Sequence, residues 1–219
     1  MPTSPAPLAP AVRGTWICAA IVAALLTSLG LLMFPAALAE WQRTLPGLAA
    51  VIIVLSSYSL LGAWGAARLE RVDRGLLRLA LVFGLVAAAI FAAEILLEYV
   101  LLPPDNTSYG IVEFGLVFLS YLTAGFIAAW QTRLARNGPM AAVGAALIST
   151  LLWYIVLLAI TYAMKGTPRQ AMVFRAEGNL DDFAHSGSAN FEAWLMQDLL
   201  GAGFYHLLLG LILAAILGA

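Results

Sequence analysis

Residues 79–102 read LALVFGLVAAAIFAAEILLEYVLL, and the fold turns on how this stretch is read. Its charge-free part, 79–93, is too short to cross about 30 Å of hydrocarbon, which takes about 20 apolar residues. The apolar run continues through Glu94 and Glu98 to Leu102 and stops at Pro103-Pro104, a strong helix terminator. The stretch therefore reads as one long membrane-spanning helix that carries two acids.

Working outward, residues 14–39, 44–67, 114–132, 137–164 and 199–219 are free of charge and of spanning length or close to it. Six spans are predicted, roughly 14–34, 46–67, 76–102, 111–131, 140–163 and 193–218. The runs are continuously apolar and do not alternate, which excludes the strands of a membrane β-barrel. The expected fold is an all-α polytopic bundle of six transmembrane helices, with a short helical loop on the outer surface before the last span. Residues 1–13, rich in Pro and Ala, form a flexible tail; spans one to five fill 14–164, the outer loop 165–192, and span six 193–219.

Composition agrees. Of 219 residues, 63% are apolar and 11% charged, against about 25% charged in soluble domains, and mean hydropathy is +0.93. A soluble domain has no means of hiding this much apolar surface. With 11 Lys and Arg against 12 Asp and Glu, the chain lacks the basic surface that nucleic acid requires. A single cysteine, Cys18, excludes an internal disulfide and a thiolate zinc site. The first apolar run, about 20 residues, exceeds a signal-peptide core of about 7–15, so it reads as a span despite the Ala37-Leu38-Ala39 sequence behind it.

Orientation follows from loop cations. Arg13, Arg68, Arg71, Arg74, Arg78, Arg133 and Arg136 fall on one side, and Arg43, Lys165, Arg169 and Arg175 on the other. Seven against four favours both termini in the cytoplasm of a cell (plasma or inner) membrane. In the outer loop, Thr167-Pro168-Arg169-Gln170 reads as a helix start and Gly178-Asn179 as a stop. Phe174, Phe183, Phe191 and Trp194 are expected at the headgroup level. Glu177, Asp181 and His185 fall at i, i+4, i+8, a weak metal-ligand row that the Gly178-Asn179 break interrupts; a solvated polar face is the plainer reading.

The informative residues are the ionisable groups inside spans, each costing about 2.5–3.5 kcal/mol on insertion scales. From the outer ends at 1.5 Å per residue, Glu98 lies about 6 Å deep, Glu94 about 12 Å, Glu113 about 3 Å, Asp198 about 7 Å and His206 about 20 Å. Glu98 and Glu113 are expected to reach for the headgroups. Glu94 and His206 are expected to face the interior. Apart from Arg78 at the opposite end of span three, no cationic side chain lies in the spans to neutralise them. Ser56, Ser57, Ser59, Ser120, Thr123, Ser149 and Thr150 read first as helix-bonding hydroxyls. No nucleotide, hydrolase, haem or redox motif occurs, so enzyme activity has no positive support and no cofactor is implied.

Two functional readings follow. In one, the protein moves protons or a small cation along a carboxylate-lined route in the outer half of the bundle. Glu94 is the main acceptor, His206 the deeper partner, and Asp198, Glu98 and Glu113 an attracting outer layer. In the other, the protein is a non-catalytic membrane subunit or assembly factor. Gly203 and Gly210 give span six a small-residue stripe for close helix approach, within the bundle or with another subunit. The protein then acts by packing through this face and the aromatic outer loop in the lipid bilayer, with a second copy or another membrane subunit as partner.

Overall fold

The computed structural model describes residues 9–102 and 106–219; the first part of the expected tail and the Pro103-Pro104 terminator lie outside the described residues. The helices are α1 (Ala9–Met33), α2 (Ala36–Ala39), α3 (Trp41–Val72), α4 (Arg74–Leu96) running into a π-helical turn (Leu97–Leu101), α5 (Asn106–Thr132), α6 (Asn137–Ala163), α7 (Pro168–Ala176), α8 (Asn179–Ser186) and α9 (Phe191–Leu217). Among the described residues there is no strand. Six helices are long and apolar enough to cross a membrane: α1, α3, α4 with its π turn, α5, α6 and α9. The chain is a multi-pass helical membrane protein.

Several boundaries differ from expectation. α1 begins at Ala9, not Gly14, because Pro10 falls in the first turn, where its missing N–H costs nothing. Arg13 is thereby helical. α3 begins at Trp41, well before Pro46, since the Glu40 carbonyl accepts from the amides of Arg43 and Thr44 at 3.0 and 3.2 Å. The arginine-rich segment 68–78 is no open turn: α3 and α4 meet at Asp73 alone, whose carboxylate accepts from Gly75 N at 2.6 Å.

α6 is the hub. Two-thirds of its apolar window is buried, against 28–39% for the other five spans. Hydroxyls radiate from it. Tyr58 of α3 donates to the Leu207 carbonyl of α9 at 2.6 Å and meets Thr150 of α6 at 2.7 Å. Tyr121 of α5 meets Ser149 at 2.7 Å, and Tyr154 meets Thr27 of α1 at 3.1 Å. These hydroxyls are thus satisfied across helix pairs, as lipid-embedded polar groups require. By contrast Ser57, Ser59, Ser120 and Thr123 bond back to their own helices.

The outer surface fits a bilayer. Exposed Trp41 and Trp64 on α3 are about 34 Å apart along the helix, and exposed Tyr109 and Trp130 on α5 about 32 Å. These pairs bracket lipid-facing aliphatics such as Ile53, Leu60, Leu116 and Leu122, as aromatic belts bracket the hydrocarbon. One end of the bundle carries α7 and α8, and the other the arginines of 68–78.

α7 and α8 form a folded cap. Thr167 accepts from Gln170 N, while the Gln170 side chain accepts from Gly166 N at 2.9 Å, a capping box displaced by one residue. Gly178, with φ of 75°, turns the chain from α7 into α8, where a Cβ would be strained. The four aromatics expected at the headgroups also pack on one another: Phe174–Phe191 at 5.2 Å, Phe183–Phe191 at 5.4 Å and Phe191–Trp194 at 5.4 Å between ring centres. Burying these rings together removes apolar area from water that single rings at an interface would leave partly wet.

Candidate functional site

α4 runs toward the cap end and α5 starts there, so their packed faces bring Glu94 and Glu113 together beneath it. Glu94 is 7% exposed and Glu113 9%. Glu94 lies within electrostatic reach of both Glu98 and Glu113, and Glu98 within reach of Glu177 at the end of α7. Glu113 is therefore drawn into the bundle, where the sequence had suggested a headgroup position. Glu98 is half-buried on the π turn, and Asp198 is exposed on α9. One oxygen of Glu94, Oε2, is buried with no hydrogen-bond partner among the described residues.

His206 lies deeper, about 22 Å below the cap end of α9. Its neighbours are aromatic rings. Its imidazole is 4.1 Å from the Trp153 ring of α6 and stacks at 6.1 Å on Phe114 of α5. Phe91 closes the group at 5.9 Å from Phe114 and 6.3 Å from Trp153. Phe91 sits one turn before Glu94, and Phe114 follows Glu113. Phe91, Phe114 and Trp153, from α4, α5 and α6, thus form an aromatic cluster that packs against His206 of α9. Among the described residues, His206 forms no ion pair with a carboxylate. The ring cluster was not foreseen: Phe91 and Phe114 look like any apolar residue in a membrane span, and only the tertiary packing brings them against His206.

The cations of the cap take other partners than these acids. Lys165 pairs with Glu192 at 3.3 Å, donates to the Met33 carbonyl and lies 4.2 Å from the centre of the Phe34 ring. Arg169 donates to the Tyr99 carbonyl at 3.0 Å and to that of Val100, satisfying carbonyls at the end of the π turn.

A carboxylate not singled out by sequence holds the other side of the cap. Glu40 accepts from Ser188 Oγ at 2.7 Å and from the amides of Ala189 and Asn190 at 3.1 Å each. The Ser188 hydrogen bond, with those from the two amides, outweighs burial and lowers the Glu40 pKa below its ordinary value. Its partners lie almost 150 residues away, so no local spacing announced it.

The weak metal row does not form. Glu177 ends α7, Gly178 reverses the chain, and a His185 ring nitrogen lies 2.7 Å from the Asp181 carbonyl rather than facing a carboxylate. Among the described residues, no three His, Cys, Asp or Glu side chains are grouped to hold a metal.

The glycine face of α9 is used inside the bundle. A Cβ at Gly203 would come within 2.4 Å of the Tyr154 ring, and one at Gly210 within 2.4 Å of Thr150. These two glycines let α9 approach α6, the within-bundle packing that the small-residue stripe allowed.

The fold and its lipid-facing surface define a polytopic helical membrane protein with a buried carboxylate cluster. Comparison with known proteins adds nothing to that class: no protein-family model matches the chain, and no curated protein or solved structure matches it either.

Proposed function

We propose that the protein moves protons or a small cation across the membrane, with Glu94 as the acceptor. The observation that carries this reading is the Glu94 carboxyl: buried, with Oε2 unpartnered, and gathered with Glu98 and Glu113 under the cap. A charge at that depth needs a counter-ion, and no lysine or arginine of the spans supplies one. A proton or an incoming cation fills the role. Glu98 and Glu113 attract it, and the ring cluster of Phe91, Phe114 and Trp153 serves as a plug between Glu94 and His206. In this reading the chain is held in a closed arrangement, and passage requires the plug to move.

We further read the arginine end as cytoplasmic and the cap as external, on the loop-cation bias. The test is flux into proteoliposomes loaded with a pH- or cation-sensitive dye under an imposed potential. Glu94→Gln and His206→Ala are each expected to reduce flux while reconstituting normally. Wild-type flux in both variants overturns the mechanism.

A further inference from the structure

At the arginine end, a groove of about 200 Å³ opens between α3 and α6, with Trp16 of α1 contributing to its wall. Leu61, Trp64, Gly65 and Leu69 form one side, and Met140 and Val143 lie on the other, so its lining is almost wholly apolar. That volume exceeds the roughly 150 Å³ in which an apolar protein cavity holds a benzene ring. The groove is open because residue 65 is glycine: a Cβ there would meet nothing within 4 Å.

Two arginines stand close to its lining residues in the chain, Arg68 beside Trp64 and Arg13 beside Trp16. The Arg68 guanidinium lies 5.3 Å from the centre of the exposed Trp64 ring. Arg13 stands one turn before Trp16 on the same helix, and its Nε is buried without a hydrogen-bond partner among the described residues. The nearby acids of this segment are engaged, Glu70 with Arg74 at 3.5 Å and Asp73 with the Gly75 amide. Trp64 belongs to the aromatic belt, so the groove begins at headgroup level and runs toward the hydrocarbon.

We propose that this groove holds an anionic phospholipid of the surrounding bilayer, its acyl chain along α3 and α6 and its phosphate at Arg13 and Arg68. Guanidinium groups match phosphate oxygens in bidentate geometry, and basic pockets between membrane helices take acidic headgroups. The lipid supplies what the structure lacks at this end: an acceptor for Arg13 Nε and hydrocarbon for an open apolar wall.

The test uses the full chain in detergent, titrated with phosphatidylglycerol or with phosphatidylcholine of the same acyl chains, and read by thermal unfolding. Phosphatidylglycerol should raise the melting temperature more, and the double variant Arg13→Gln/Arg68→Gln should weaken its apparent affinity roughly tenfold. Gly65→Leu, which fills the groove without a clash, should abolish the response, while both variants melt like the wild type without added lipid. Equal stabilisation by the two lipids, an unchanged response in either variant, or the same stabilisation by glycerophosphate without chains overturns the proposal. So does a concentration-dependent dimer of the wild type that Gly65→Leu disperses.

Discussion

Glu40 and Glu94 are glutamates near the same end of the bundle, and they are treated in opposite ways. Glu40 stands just outside the membrane span, at the head of α3, with three hydrogen bonds to the 188–190 turn. Glu94 stands inside a span, with one oxygen buried and unpartnered and two further acids in reach. A satisfied carboxylate fixes structure, as a buried or half-buried charge does when its donors are preorganised. An unsatisfied one is a cost that folding alone does not explain, and such groups concentrate where ions or protons are handled.

The largest expected effect tests that contrast directly. Glu94→Gln should lower flux at least about tenfold, as loss of an obligatory intramembrane acceptor does. It should leave the melting temperature equal or higher, because an unpaired ionisable group has been replaced by a neutral isostere. Glu40→Gln should do the reverse, with flux retained and stability reduced. Reconstituted flux and thermal melts of the two variants side by side check it, and a melting temperature that falls in Glu94→Gln breaks the contrast.

The next effect concerns the frame that holds both sites. Gly203→Leu drives a side chain into the Tyr154 ring and should cost about 3 kcal/mol or prevent folding. Gly201→Leu, two residues earlier, meets nothing within 4 Å and should be nearly neutral. Expression and denaturation in detergent distinguish them. Equal behaviour would mean that α9 does not pack on α6 through Gly203.

The frame itself was legible because hydrocarbon imposes it: six apolar runs of spanning length require six helices, and Thr167-Pro168 and Gly178 punctuate the cap through local backbone chemistry. The acids were legible too, since an ionisable residue in an apolar run stands out whatever the fold. Their partners were not. Glu113 turns inward because α5 packs on α4, a fact of tertiary geometry that a depth estimate along one helix cannot contain. The Glu40 clamp joins residues 40 and 188, and the plug is made of rings indistinguishable in sequence from lipid-facing ones.

A smaller effect is expected at the clamp. Glu40→Ala removes three charge-assisted hydrogen bonds from a partly exposed site, a loss of about 2 kcal/mol after solvent screening. Backbone exchange should accelerate across 188–190 while α6 stays protected. The pH dependence has a definite sign. Because the folded-state pKa of Glu40 is lowered from 4.5, its contribution is present in full above that value. It is lost as pH falls below 4.5 toward the lowered pKa. Hydrogen exchange at pH 7 and at acid pH, expressed as protection relative to the intrinsic rate at each pH, checks both statements, and protection at 188–190 that stays high and unchanged in the wild type on acidification would show that the clamp does not depend on the carboxylate.

The smallest effect separates packing from proton handling in the plug. His206→Phe keeps a ring against Trp153 and Phe114, so it should change stability by less than about 1 kcal/mol, within the range of one aromatic pair. It removes both ring nitrogens. If His206 is the deeper partner of Glu94, flux falls in this variant although the fold is unperturbed. If the imidazole serves only as a ring in the partition, His206→Phe keeps flux while His206→Ala, which opens a hole beside Trp153, raises leak and lowers the melting temperature. The pair of substitutions therefore assigns the residue from the sign of the flux change alone. It also decides how far the Glu94 route extends: through the plug to the arginine end, or no deeper than the two buried glutamates under the cap.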